Sequence, residues 1–314
     1  MPRVIPEDLV EPVLRVLVSA ATAGDGPTAE QVSVVTALAA GYWDRPDLDL
    51  DALRPLGPTE ADALFQDEAH RRRVRELLVL VEQCRHPLTE DQVELVDDYM
   101  EALGGGGMGT EIVRDLVRKG AAAASADFGR FFSARAQSLS EATLRDAFVE
   151  EPSHLDPDLG ARLAALHDLP AGTLGYEFVE FYRRNDLTLP GDSASMPAVF
   201  VSHDMCHVIA GYEPTAAEEI ALGAMQLGVA DNEDHWIQFL GNLAVHESRY
   251  LTAEGPDHGT PALSDPEATV LLAEGLRRGA ACTGDFTAAD HLALAALPLD
   301  DVRARFGIPP RRPA

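Results

Sequence analysis

The chain has 314 residues, 46% of them hydrophobic, and a formal net charge of −27. This length suffices for one large domain or two moderate ones, and the composition is that of a folded globular protein. The acidic charge argues against nucleic acid as a partner, because most of the surface would repel a phosphate backbone. The three cysteines are isolated and form no C-x-x-C motif, which is typical of a reducing compartment rather than of a disulfide framework.

The start of the chain, MPRVIPEDLVEPVL, lacks the basic and apolar regions of a signal peptide. The longest apolar run, at 220–230, is about half as long as a membrane span. We therefore expect a soluble cytoplasmic protein without a transmembrane segment. Peripheral contact with a membrane is left open by the basic C-terminal segment at 303–314.

Apolar residues recur at helical spacing from the N-terminus onward, so an all-α protein with two helical bundles is predicted. Segments 13–35 and 74–96 share the order helix, turn, T-x-[ED]-Q-V, second helix, and Thr28 aligns with Thr89. Both threonines are predicted N-caps. The N-terminal bundle is thus predicted to be an internally duplicated helical hairpin.

This half of the chain resembles the tellurite-resistance B-type helical domain, which has two hairpins with an acidic turn, here Asp25-Gly26. The resemblance implies that acidic residues of the turn bind a cation. The second turn, at 85–87, reads Arg-His-Pro and departs from that pattern.

A glycine-rich segment, GGGGMG at 104–109, is predicted to cap the preceding helix and to form a flexible linker. It lacks the lysine and hydroxyl residue of a phosphate-binding loop. The predicted domains are therefore an N-terminal helical domain at 1–103 and a metal-binding helical domain at 110–314. The apolar segment 220–230 is expected to be central in the second bundle or to line an apolar cavity.

The stretch SHDMCHVIAGYEPTAAEEI at 202–220 carries the candidate chemistry. On a helix, His203, Asp204 and His207 share one face over a single turn. Gly211 is expected to end that helix, and Glu219 is expected to come across from the first turn of the next one.

The other side chains of the stretch have simpler expected roles. Thr215 and Glu218 fit a capping box, Glu213 is expected to be solvated, and Cys206 is expected to be a buried thiol. The predicted metal ligands are thus His203, Asp204, His207 and Glu219. Two imidazoles and two carboxylates suit a divalent ion, zinc first, with iron or manganese also compatible.

Three other motifs compete with this interpretation. H-D-x-x-H resembles the zinc-protease motif H-E-x-x-H, but it lacks the glutamate that acts there as general base. Phosphohydrolases of the His-Asp superfamily need further metal ligands that are not evident in the chain. A catalytic dyad of Cys206 with a histidine is conceivable, although adjacency to His207 on a helix does not create one.

The spacing H-D-x-x-H, eleven residues, E, resembles the signature of the coenzyme Q biosynthesis protein 4 family. Similar segments flank it: GYEFVEFYRRNDLTLPGD at 175–192, the HVIAGYEPTAAEEIAL continuation at 207–222, and LPLDDVRARFGIPP at 297–310. The chain departs from the family at Phe200-Val201-Ser202 before the motif and at Glu218, where the family has glycine. The resemblance covers about the last two-thirds of the chain and suggests a divergent member.

The resemblance implies an all-helical metal-binding protein of ubiquinone biosynthesis with an apolar groove for prenyl lipid. It implies either an enzyme for oxidative decarboxylation or hydroxylation of a prenylated or aromatic acid, or a lipid-binding scaffold of a biosynthetic complex with a structural zinc. The expected partners are a hydrophobic small molecule or prenyl lipid and other proteins of such a complex, and a homodimer is left open.

Four further residues are candidates for hydrogen bonds to the metal ligands or for contacts with the substrate: Tyr182, Arg183, His235 and His246. Tyr182 and the adjacent arginines precede the motif and could hold a carboxylate substrate. His235 and His246 lie about three turns apart on one predicted helix, and could contact the ligands or line the pocket. Surface ion pairing and independent packing are the alternatives.

Overall fold

In the computed structural model, the described residues are 4–86, 88–105, 140–147, 155–192, 198–230, 232–247 and 261–311. Within these ranges the chain forms helices and connecting turns without a β-strand, and Thr173 and Pro298 make an isolated antiparallel bridge. The predicted all-α class is confirmed. None of the described helices is both long enough and apolar enough to cross a bilayer.

The described part of the chain has thirteen α-helices, numbered here in chain order: α1 (Glu7–Ala21), α2 (Ala29–Ala37), α3 (Pro58–Leu64), α4 (Glu68–Gln83), α5 (Glu90–Ala102), α6 (Pro157–Ala164), α7 (Leu174–Arg184), α8 (Phe200–Ala210), α9 (Ala216–Val229), α10 (Glu233–His246), α11 (Pro266–Ala281), α12 (His291–Leu294) and α13 (Leu299–Phe306).

The chain divides into two compact units. The first unit comprises Met1–Phe128 and Ala216–Ala280, and the second comprises Gly129–Thr215 and Ala281–Ala314. This division places α9 to α11 with the N-terminal helices, whereas the sequence predicts a boundary within 104–109. Residues 106–109 lie outside the described part, and the domain boundary there stays a prediction. So do the helices predicted within 110–139.

The first unit contains both predicted helical hairpins, α1–α2 and α4–α5, and α1 packs against α4 and α5. Thr28 is the N-cap of α2, as predicted, and forms a capping box with Gln31, whose amide reaches the Val81 carbonyl at 3.1 Å. Thr89 occupies the N-cap position of α5, but its side chain makes no capping hydrogen bond. The two hairpins therefore share the same order of helices, but Thr89 does not cap α5 as Thr28 caps α2.

Arg85, in the turn that departs from the acidic pattern, is buried beside the first turn. Its guanidinium donates to the carbonyl oxygen of Gly26 at 2.7 Å and to the side chain of Gln31 at 3.4 Å. Arg85 thus links the second turn to the first turn and to the start of α2.

Helix α4 departs from its sequence pattern. Its periodicity suggests one apolar face, yet residues 73–83 are all buried, including Arg73, Arg75 and Glu76. Arg73 pairs with Glu76 at 2.9 Å and lies over the ring of Trp236, 4.3 Å from the centroid. Burial of the charged residues is tolerated because the ion pair and the aromatic face replace water.

Helix α9 is buried along residues 220–227, as its all-round apolar sequence predicts, and it packs against α10. It lies in the first unit, whereas the sequence predicts a central position in the second bundle or the lining of an apolar cavity. Small residues allow its close approach to α11: a Cβ on Gly275 would collide with the Ala221 carbonyl. Hydropathy therefore predicted burial of α9 but could not identify the helices that cover it.

In the second unit, α8 packs against α7 and α13. Arg303 of α13 donates to the carbonyl oxygens of Ile209 at 3.0 Å and Val208 at 3.1 Å. Arg311 donates to the Gly211 carbonyl at 2.8 Å. These cations bind the unpaired carbonyls at the C-terminus of α8, where the helix dipole is negative, and so hold this end of the helix in place.

Candidate metal centre

Helix α8 brings three candidate ligands together. It runs uninterrupted from Phe200 to Ala210 and ends at Gly211, which has the left-handed φ of 77° that glycine adopts without strain. One ligand atom each of His203, Asp204 and His207 lies within 4.8 Å of the others. Asp204 and His207 are buried and His203 is half-buried. This cluster could hold a metal ion.

The orientation of His207 is set by the turn that follows the helix. Its Nδ1 lies 3.0 Å from the backbone oxygen of Tyr212, and because a carbonyl only accepts, Nδ1 carries the proton. In the neutral ring the lone pair is then on Nε2, the state in which histidine ligates a metal. The ring also stacks on Phe181, with centroids 5.4 Å apart.

The Nε2 atoms of His203 and His207 are 3.1 Å apart. Two nitrogens bound to one zinc ion at ordinary bond lengths are about 3.0–3.4 Å apart, depending on the bond angle. The distance also suits an N–H···N hydrogen bond from His203 when no ion is bound. The donor set and its spacing therefore fit a divalent ion.

Asp204 is held by Tyr182, whose hydroxyl donates to Oδ2 of the carboxylate. Both side chains are buried. Burial, the charge of Asp204 and this hydrogen bond raise the pKa of Tyr182 well above its usual value, so the hydroxyl stays protonated as a donor.

We expect Tyr182→Phe to lower the affinity for a divalent metal about 10- to 100-fold, because groups that orient a ligand contribute that much in other metal sites. Competition titration of zinc against a chromophoric chelator measures the change. Tyr176→Phe, in the same helix, serves as the control and should keep the wild-type affinity. Equal affinities of Tyr182→Phe and wild type would contradict this role.

Three further predicted site residues are not part of the cluster of His203, Asp204 and His207. Arg183 is exposed and contacts Glu180 at 3.1 Å and His167 at 2.6 Å. His235 is buried in α10, where its Nδ1 donates to the Ala230 carbonyl at 2.8 Å. His246 is half-buried in the last turn of α10. A role of these three side chains at the metal or substrate stays a prediction.

Glu219 lies in the first turn of α9, as expected, and is half-buried. It belongs to the first unit, whereas the three clustered residues belong to the second. Its part in a shared ligand set therefore stays a prediction, as does the capping box of Thr215 with Glu218.

The Glu213 side chain is 40% exposed, in line with the expected solvation, and it also makes contacts that the sequence did not indicate. Its carboxylate binds Arg184, with 2.9 Å between charged atoms, and accepts from Asn185 at 2.7 Å. Partial burial acts to raise the pKa of Glu213, but these hydrogen bonds outweigh it and the pKa is lowered. Arg184 is thus engaged in tying the end of α7 to the turn after α8.

Sequence reasoning missed the two groups that orient His207, the Phe181 ring and the Tyr212 carbonyl. Phe181 had a weak signal, because Phe178, Phe181 and Tyr182 recur at three and four on one face of α7. The Tyr212 contact had none, since a backbone carbonyl is present at every position.

No family model and no curated protein matches the chain. Among solved structures, a protein of Nostoc punctiforme described as a candidate ubiquinone biosynthesis protein is similar at 17% identity. The similarity covers 75% of this chain and 97% of that chain, with a TM-score of 0.35. A TM-score this low carries no argument about function. The findings define an all-α protein with a His-Asp-His cluster that could hold a metal ion.

Proposed function

We propose that the protein is metal-dependent and acts on a hydrophobic substrate, a prenylated or aromatic acid. The observation that carries the proposal is the convergence of His203, Asp204 and His207, two of which are oriented by neighbours. Buried side chains that neighbours hold in the orientation of a ligand are more specific than acids clustered on a surface.

Glu219 is the proposed fourth ligand. Its support is the spacing of eleven residues after His207 and its position in the first turn of α9. With it, two neutral imidazoles and two carboxylates balance a dication. Nitrogen and oxygen donors without a thiolate favour zinc, and they also suit iron or manganese.

The residues around the cluster have defined parts in this proposal. Tyr182 keeps its proton and holds one oxygen of Asp204, and the Tyr212 carbonyl keeps the proton of His207 on Nδ1. Phe181 covers one face of the His207 ring and excludes water there. A bound divalent ion would polarise a carboxylate or carbonyl of the substrate, and iron, unlike zinc, would also exchange electrons.

The substrate class rests on the H-D-x-x-H motif and its flanks, which resemble the coenzyme Q biosynthesis protein 4 family. A member of that family would carry out oxidative decarboxylation or hydroxylation of the ring of a quinone precursor. The departures at Phe200-Val201-Ser202 and at Glu218 fit a changed substrate. They directly precede the proposed ligands His203 and Glu219 in sequence and replace neither.

The second candidate is a lipid-binding scaffold of a biosynthetic complex in which the metal is a structural zinc. The burial of His207 and Asp204 favours it, because structural sites are closed whereas catalytic sites keep an open position. In this candidate the partners are prenyl lipid and other proteins of the complex, and a homodimer is compatible with it.

Elemental analysis and native mass spectrometry of the purified protein separate the two candidates. About one equivalent of iron that is accessible to an added azide probe supports the enzyme. Tightly held zinc with retained prenyl lipid supports the scaffold. A protein with neither metal nor lipid, even after incubation with both, would remove the basis of both candidates.

A further inference from the structure

A second group of ionisable side chains lies on the flank of α8 beside the metal cluster. It consists of Cys206, His291 and Glu141, each at most 1% exposed. Cys206 Sγ lies 3.9 Å from His291 Nε2. This histidine is 85 residues from Cys206 in the chain, so spacing within the helix gives no sign of the contact.

Both ring nitrogens of His291 face oxygen atoms. Nε2 is 2.8 Å from the Phe286 carbonyl, which only accepts, so Nε2 carries a proton. Nδ1 is 2.8 Å from Oε2 of Glu141, and the other carboxylate oxygen accepts the backbone N–H of Leu292 at 3.0 Å. Imidazole is more basic than carboxylate, so the proton between Nδ1 and Oε2 belongs to His291.

We propose that His291 is held as an imidazolium at neutral pH, in a buried ion pair with Glu141 that fastens α12 and the Glu141 segment beside α8 and weakens in alkali. The ion pair is wholly inside the second unit, with both side chains at 0% exposure. Removing the charge of either partner would leave the other buried and uncompensated, which is costly.

The stability of the folded state depends on pH because the pKa of His291 differs between the folded and the unfolded chain. Burial acts to lower the pKa of His291, but hydrogen bonds to Cys206 and Glu141 outweigh it and raise the pKa from 6.5 to about 10. The folded protein therefore keeps a proton that the unfolded chain loses. The stabilisation is complete below pH 6.5, declines above it and is gone above pH 10.

The titratable groups that face His291 come from two elements. Helix α8 contributes Cys206 and the segment before Ala142 contributes Glu141. Helix α7 meets α12 through Gly175, which donates its N–H to the Ala295 carbonyl at 2.8 Å and adds no charge there. Glu141 is therefore the carboxylate partner of His291, and Cys206 is the other titratable contact.

Nitrogen-15 NMR of the histidine rings in the wild-type protein tests the protonation state directly. The expected result is a His291 ring with both nitrogens protonated at pH 8.5, assigned by its absence in His291→Gln. A neutral His291 ring at pH 8.5 would overturn the proposal. The measurement is made without added metal and succeeds or fails independently of the proposed function.

Hydrogen exchange of residues 286–306 tests the coupling to stability. After correction for intrinsic exchange, wild-type protection should fall about tenfold per pH unit between pH 7.5 and 9.5 relative to His291→Gln. The reason is that His291 releases one proton when this part of the structure opens. Glu141→Gln should likewise flatten the profile. His167→Gln, which removes a histidine from a part-buried pair with Glu180, should keep the wild-type profile. Parallel profiles of wild type and His291→Gln would overturn the proposal.

Discussion

His207→Ala should abolish stoichiometric metal binding. The substitution removes a buried side chain that we propose as a ligand. Its ring is oriented by the Tyr212 carbonyl, and its Nε2 lies 3.1 Å from the Nε2 of His203. Loss of a group that only orients a ligand costs about 10- to 100-fold in affinity, so loss of the ligand itself should exceed 100-fold. Zinc content after dialysis and a competition titration measure the effect.

The matched control is His167→Ala, which removes a half-buried histidine of the same unit that lies outside the cluster. It should retain about one metal ion per chain. Circular dichroism of both variants establishes that the helices remain. Full metal content in His207→Ala with an intact helical spectrum would exclude His207 as a ligand.

Phe181→Ala should destabilise the second unit by about 3–5 kcal/mol, the usual cost of truncating a buried phenylalanine. Phe181 is fully buried, stacks on His207 and carries the guanidinium of Arg184 5.2 Å from its ring centroid. The cavity would also release one face of the His207 ring. Metal affinity should therefore fall together with stability.

Hydrogen exchange of peptides from α7 and α8 measures this loss of stability. Tryptophan fluorescence would not report on the second unit, because both tryptophans, Trp43 and Trp236, lie in the first unit. Phe181→Leu should cost less, since it fills most of the space. Phe306→Ala, at a half-buried position of α13, should also cost less. A Phe181→Ala variant with wild-type protection in both helices would contradict the assigned packing.

Local features of the site were predictable from sequence because they depend on spacing within one turn. His203, Asp204 and His207 share a face of α8, and Gly211 ends the helix with a left-handed φ of 77°. Thr28 likewise caps α2 through neighbours three residues away. In each case the residues that determine the geometry are adjacent in the chain.

Features that depend on distant contacts were not predictable. Glu213 is partly exposed as expected, but its ion pair with Arg184, 29 residues away, had no sequence signal. Cys206 is a buried thiol as expected, but its contact with His291, 85 residues away, had no signal either. Residues 73–83 of α4 look amphipathic but are all buried, because the ion pair of Arg73 with Glu76 and the ring of Trp236 replace water there. Hydropathy contains no information about those partners.

X-ray absorption spectroscopy of the zinc-loaded protein tests the central claim most directly. If His203, Asp204 and His207 bind the ion, the first shell contains only nitrogen and oxygen at about 2.0–2.2 Å, with the outer-shell scattering of two imidazole rings. That scattering should disappear in a His203→Ala/His207→Ala variant. A sulfur neighbour at about 2.3 Å, or a shell without imidazole in the wild-type protein, would contradict the metal centre assigned to α8.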